Sequence, residues 1–123
     1  MTLRTIRDLA AADLVSDADR AALEEVATRY AVAIPPALAA LIDKNDPNDP
    51  IARQFVPHGG ELQTLPEERS DPIGDLAHQP VEGIVHRYPD RVLLKPLHVC
   101  PVYCRFCFRR EMVGPEGLGT LST

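Results

Sequence analysis

Arg91-Val-Leu-Leu-Lys-Pro-Leu-His98-Val-Cys100-Pro-Val-Tyr-Cys104-Arg-Phe-Cys107 is the stretch on which the reading of this chain turns. Its first half, Arg91 to His98, is mostly apolar, as a buried parallel strand is. Pro96 lacks a backbone donor, so the strand should end near it. A loop that follows the C-terminal end of such a strand is where α/β barrels and open α/β sheets build their sites. That loop holds all three cysteines of the chain, spaced Cys-x3-Cys-x2-Cys, with Phe106 just before the third. Two short spacers let three sulfurs converge on one inorganic centre. A cubane iron–sulfur cluster has four irons to ligate, so three thiolates leave one iron open to a small molecule. Two alternatives stand beside it: a Cys3His zinc site completed by His98, and inert thiols packed as small hydrophobes. The odd number disfavours a disulfide framework.

Composition bounds the rest. Of 123 residues, 45% are hydrophobic and 25% charged, proportions that suit one ordinary globular domain at most. A net charge of −5 offers no electrostatic footprint for nucleic acid or an anionic membrane, so neither is expected as a partner. Residues 1–7 lack the apolar core of a signal peptide. The longest apolar run, residues 31–42, is broken by Pro35 and Pro36 and falls short of the roughly 20 residues of a membrane span. The cytoplasm, where thiols stay reduced, is the expected compartment.

Outward from the cysteine loop, three segments are expected: helical residues 1–43, an irregular stretch over 44–86, and the strand with its loop over 87–123. All 12 prolines lie at or after position 35, which leaves the first 34 residues free to be helical. Thr2 is expected to cap a helix carrying Leu3, Ile6 and Leu9. Ser16 should start a second, with Asp17 and Asp19 at the positive end of its dipole. Leu23, Val26, Ala27 and Tyr30 form its apolar stripe, and Glu25 and Arg29 an i,i+4 pair. Pro35 and Pro36 suit the start of a third, with Leu38, Leu41 and Ile42 on one face. Asp46-Pro47, Asp49-Pro50, Gly59-Gly60 and Asp71-Pro-Ile-Gly74 are turn signals. Residues 114–123 complete no element, and the strand from Arg91 has no evident partner.

Asp46-Pro-Asn-Asp-Pro-Ile-Ala-Arg-Gln-Phe-Val-Pro57, Asp71-Pro-Ile-Gly-Asp75, His86-Arg-Tyr-Pro-Asp-Arg-Val-Leu-Leu94 and Cys100-Pro-Val-Tyr-Cys-Arg-Phe-Cys-Phe-Arg-Arg110 together resemble the lysine 2,3-aminomutase family of radical S-adenosylmethionine (SAM) enzymes. The resemblance implies an α/β fold: an N-terminal helical extension, then the first strand and cluster loop of a partial TIM-like barrel, incomplete in this chain. It implies a 4Fe–4S cluster, SAM and pyridoxal phosphate (PLP). The reaction implied is an isomerisation that moves the α-amino group of an amino acid to its β-carbon. L-lysine is the expected substrate; a glutamate 2,3-aminomutase and the β-lysine-forming enzyme of elongation factor P modification are the alternatives. From another class comes a small Cys3His zinc-binding module. A reducing partner such as flavodoxin or ferredoxin and a homo-oligomer are implied as well.

The same resemblance distributes roles. Cys100, Cys104 and Cys107 match the cluster ligands, and Phe106 the residue against the adenine of SAM. Arg87 and Arg91 match arginines on the PLP phosphate. Two guanidinium forks four residues apart can converge on one phosphate; an arbitrary pair would more often be surface arginines paired with Asp90 or Glu82, and the family match favours the phosphate here. Arg109 matches the residue that pairs with the substrate carboxylate. Arg105 and Arg110 read as structural or solvated, and His58, His78, His86 and His98 as packing or loop residues. Tyr103, Phe106 and Phe108 are half of the six Phe and Tyr residues and would give the loop a dry lining. No catalytic residue is expected here. Lys44 and Lys95 do not match the PLP lysine, which in the family lies downstream, and the chain reads as an N-terminal fragment inactive by itself.

Overall fold

The computed structural model describes residues 1–114. Residues 115–123, most of the tail read as completing no element, lie outside the described residues. The described chain is small and mixes helix and strand.

Helix α1 spans Ile6–Ala11 and α2 spans Arg20–Arg29. Thr5, not Thr2, caps α1: its side chain accepts from Asp8 N–H, and the Asp8 carboxylate accepts from Thr5 N–H in return. Such a reciprocal box satisfies two orphan donors of the first turn. Leu3 is taken out of the helix by tertiary pairing, exchanging two 2.9 Å backbone hydrogen bonds with Ile34. Ser16 does cap, but over a 3-10 turn, Asp17–Asp19, that leads into α2. The pair of Glu25 with Arg29 does not form; Arg29 reaches Glu111 at 3.8 Å and lies over the Tyr30 ring. An exposed helical ion pair is worth only a few tenths of a kcal/mol, about 0.3–0.5, and yields easily to a tertiary partner.

Ile6 and Leu9 of α1 meet Leu23 of α2, Val32 and Ile34 in the core. Val26 and Tyr30 are also buried. Helix α3, Pro36–Ala39, starts on its proline and packs Leu38 on the core. It is too short to carry Leu41 with it, and Leu41 is exposed while Ile42 is buried. Residues 44–86 are less irregular than the turn signals imply. Asp49 accepts from Ala52 N–H at 2.7 Å and Pro50 stands at N1, so α4 forms over Pro50–Phe55. Phe55 and Val56 then pack on the helical core.

The strand differs from the sequence expectation in two ways. Strand β2 covers Arg91–Leu94 only, and it is antiparallel to β1, Ile84–Tyr88. The apolar run from Arg91 therefore has a partner within the chain, joined through the two-residue turn Pro89-Asp90. Ile84 pairs with Leu94, Val85 with Leu93 and Tyr88 with Arg91. Lys95 N–H donates to the Gly83 carbonyl at 2.7 Å, and Pro96, with no donor, ends the ladder. An apolar composition cannot by itself tell parallel from antiparallel pairing. Nor is this strand buried: Val92, Leu93 and Leu94 are all exposed, and only Val85 of the hairpin is closed off.

Candidate functional site

Three backbone hydrogen bonds fasten the cysteine loop to the rest of the chain. Tyr103 N–H donates to the Ala33 carbonyl at 3.3 Å, Arg105 N–H to Gln54 at 2.7 Å, and Gly114 N–H to His98 at 2.8 Å. Within the loop, Cys107 N–H donates to Cys104 and Arg110 N–H to Cys107, so residues 104–110 run as successive turns. Cys104 is exposed; Cys100 and Cys107 are half-buried; all three thiols are free. Tyr103 is buried, and its hydroxyl oxygen accepts from Cys100 N–H at 3.4 Å.

The residue that locks the loop is Arg105. Its Nε and Nη2 donate to the two carboxylate oxygens of Glu61 at 3.0 and 2.6 Å, and its Nη1 to the Ala31 carbonyl at 2.8 Å. A fork-to-fork pair of this kind fixes direction as well as distance. Glu61 also accepts from His58 N–H, capping the 3-10 turn Gly59–Leu62. Sequence reasoning left Arg105 without a role, and the one hint was the His58-Gly-Gly-Glu61 spacing of a capping box.

The remaining arginines separate. Arg87 donates from Nη2 to the Ile73 carbonyl and lies 3.5 Å from Asp75 Oδ1. Arg91 pairs with Asp90 at 3.2 Å and stacks over Tyr88 at 4.2 Å, mostly in solvent. The two that the resemblance puts on one phosphate thus have different partners here. Arg109 donates from Nε to Asp75 Oδ2 at 2.8 Å and lies over the Phe108 ring at 4.6 Å. Arg110 reaches Glu68 at 3.3 Å and covers Tyr30, whose hydroxyl donates to Glu111. Among the described residues Phe106 is 76% exposed and Phe108 is also open, while Tyr103 is buried.

Asp75, which sequence reasoning gave no role, joins Arg87 to Arg109. Its side chain is 2% exposed. Burial pushes its carboxyl up, but the Arg109 hydrogen bond and charge, with Lys95 and Arg87, outweigh that and hold it below the usual carboxylate range. The signal lay in the turn before it. Asp71 accepts from Asp75 and Leu76 N–H at 2.9 Å each, and Gly74 takes φ +71°. Burial also raises the Tyr30 hydroxyl, helped by Glu111.

Among the described residues, no three His, Cys, Asp or Glu side chains already converge on a metal position, either as three cysteines or with His98. The donor chemistry nonetheless fits an iron–sulfur cluster: three free thiols on one turn-rich loop, at least one open to an incoming ion.

Comparison with known proteins decides the family. The chain is 46% identical to L-lysine 2,3-aminomutase of Clostridium subterminale over 83 residues, 68% of this chain and 20% of that protein. It is 33% identical to L-lysine 2,3-aminomutase of Bacillus subtilis over 118 residues, 96% of this chain and 25% of that protein.

The chain belongs to the lysine 2,3-aminomutase family.

A match over 118 of 123 residues cannot leave out the cysteine loop. Glutamate 2,3-aminomutase of Clostridioides difficile is 37% identical over 94 residues, 76% of this chain and 22% of that protein. The chain thus spans about a quarter or less of these three aminomutases. No family model matches it. No helix among the described residues is long and apolar enough to cross a membrane.

Proposed function

We propose that this chain is the cluster-bearing part of an amino-acid 2,3-aminomutase, an isomerase that moves the α-amino group of L-lysine to the β-carbon. The observation that carries the reading is the match to L-lysine 2,3-aminomutase across 96% of the chain, cysteine loop included. The match to a glutamate 2,3-aminomutase supports glutamate as the second candidate substrate. Substrate choice, including the elongation factor P alternative, belongs with residues that contact the distal end of the amino acid.

Cys100, Cys104 and Cys107 would hold a 4Fe–4S cluster, and their thiolates would leave one iron for SAM. Cluster and SAM supply radical chemistry when bound, and PLP stabilises the migrating amine. Phe106 offers an open aromatic face suited to the adenine of SAM. Arg109 presents its Nη pair, which makes no hydrogen bond among the described residues, to the substrate carboxylate. Arg91 is exposed enough to meet a phosphate, and Arg87 keeps Nε and Nη1 for the same purpose. The lysine that binds PLP, the remaining strands of a TIM-like barrel, a flavodoxin or ferredoxin donor and a homo-oligomeric state complete the proposal.

Anaerobic reconstitution with iron and sulfide tests it. The expected result is a brown protein with a 4Fe–4S electron paramagnetic resonance signal that SAM perturbs, lost in Cys104→Ala of the complete polypeptide. A colourless protein that takes up zinc through the same cysteines would overturn the cluster.

A further inference from the structure

One buried carboxylate serves two arginines that arrive from different elements. Arg109 belongs to the cysteine loop and Arg87 to β1, and Asp75 accepts from the first on Oδ2 at 2.8 Å and faces the second on Oδ1 at 3.5 Å. The carboxylate is almost closed to solvent, its side chain being 2% exposed. Asp75 is itself held: the carboxylate of Asp71 accepts from the backbone N–H groups of Asp75 and Leu76 at 2.9 Å. Arg109 is confined on a second side by the Phe108 ring, and its carbonyl accepts from Met112 and Val113 N–H. The Nε of its guanidinium is thereby committed, while its two Nη groups make no hydrogen bond among the described residues and its side chain is 27% exposed. A carboxylate on one edge of a guanidinium fixes its plane, and an anion then meets two parallel donors on the other edge.

We propose that Asp75 is the shared positioning residue of the ligand site, aiming Arg109 at the substrate carboxylate and Arg87 at the cofactor phosphate, so that amino-acid and cofactor affinity depend on one buried group. The inference rests on the reading above that gives Arg109 and Arg87 those ligands. Asp75 touches neither ligand; it acts through the two arginines. Its buried negative charge also lowers the cost of holding two cations side by side before any anion arrives. Outer partners that orient ligand-binding groups commonly matter by about 10–100-fold when removed.

The test uses the complete aminomutase polypeptide and compares wild type, Asp75→Asn, Arg109→Ala and the double variant. Three readouts are taken: KM and kcat for L-lysine, PLP affinity by absorbance titration of the apoprotein, and iron content. Asp75→Asn is expected to raise KM by about tenfold or more and to weaken PLP, with kcat changed much less and iron content unchanged. In the Arg109→Ala background it should add little further to KM, because its effect runs through that arginine. Wild-type KM and PLP affinity in Asp75→Asn, beside a raised KM in Arg109→Ala, overturn the inference and leave the functional reading standing. An equal effect of Asp75→Asn with and without Arg109 overturns it too, as a general structural role. A wild-type KM in Arg109→Ala removes the functional reading and the inference with it. Should Asp75→Asn fail to fold, Asp75→Glu keeps the charge and shifts it by one methylene. KM and PLP affinity both moved in that variant support the proposal, and both at wild-type values overturn it.

Discussion

Glu61 and Arg105 have side chains 11% and 5% exposed, the only ion pair among the described residues with both partners nearly closed to water. Removing one partner strands the other, so Glu61→Ala should cost about 3–5 kcal/mol, read as a fall in the urea midpoint at unchanged slope. Replacing both with apolar residues of similar volume should recover most of that loss, because the desolvation penalty disappears with the charges. Asp75 adds a pH dependence. Its folded pKa lies below the unfolded value of about 3.9, so its contribution is complete above about pH 5 and drains away as pH falls through the folded pKa. Asp75→Asn should flatten the decline of the urea midpoint with acidification below pH 5. An identical decline in the variant would show that Asp75 carries none of it. Local spacing marks Glu61 as a turn cap and Asp75 as the end of a turn, but their arginine partners, 44 and 34 positions away, are set by burial and packing.

At the scale of elements, local chemistry was legible and pairing was not. Ser16 and Pro36 start elements for reasons visible in the sequence, and Asp49 with Pro50, read there as a turn signal, starts α4 by the same chemistry: a side-chain acceptor for orphan N–H groups, or a ring already set at helical φ. The cap of α1 moved from Thr2 to Thr5 because Leu3 bridges Ile34, a contact 31 positions away that no local pattern announces. The hairpin was missed for the same reason. Ile84–Tyr88 reads as a strand only once β2 is beside it, and the two-residue turn at Pro89-Asp90 fixes the direction. At Gly74 backbone strain decides a substitution. At φ +71° a Cβ meets open space but also the left-handed penalty, so Gly74→Ala should cost about 1–2 kcal/mol, measured by urea unfolding. Wild-type stability in that variant would mean that the Asp71–Asp75 turn is not under this constraint.

Across the molecule, the buried apolar residues gather at the helices, while the hairpin is apolar and largely uncovered. Hydrogen exchange should follow that division, slowest at the amides of α1, α2, Leu3 and Ile34 and much faster in β2. Uniform protection across both would contradict the distribution of burial. The cysteine loop is fastened to the helical side through Ala31, Ala33, Gln54 and Glu61, so loosening the helical core should disturb the thiols before it disturbs the hairpin.

The sequence by itself determined the chemistry: three thiols at a spacing that can share a centre, the arginines around them, and the family to which they belong. Those follow from residue identity and interval, which no folding alters. The tertiary structure decided which charges meet. Asp75 with Arg109 and Arg87, and Glu61 with Arg105, are joined across 34, 12 and 44 positions by turns whose directions depend on packing. A guanidinium looks the same in sequence whether it ends in solvent, in a buried fork or aimed at a ligand. Only the surroundings that desolvate and orient it set that difference.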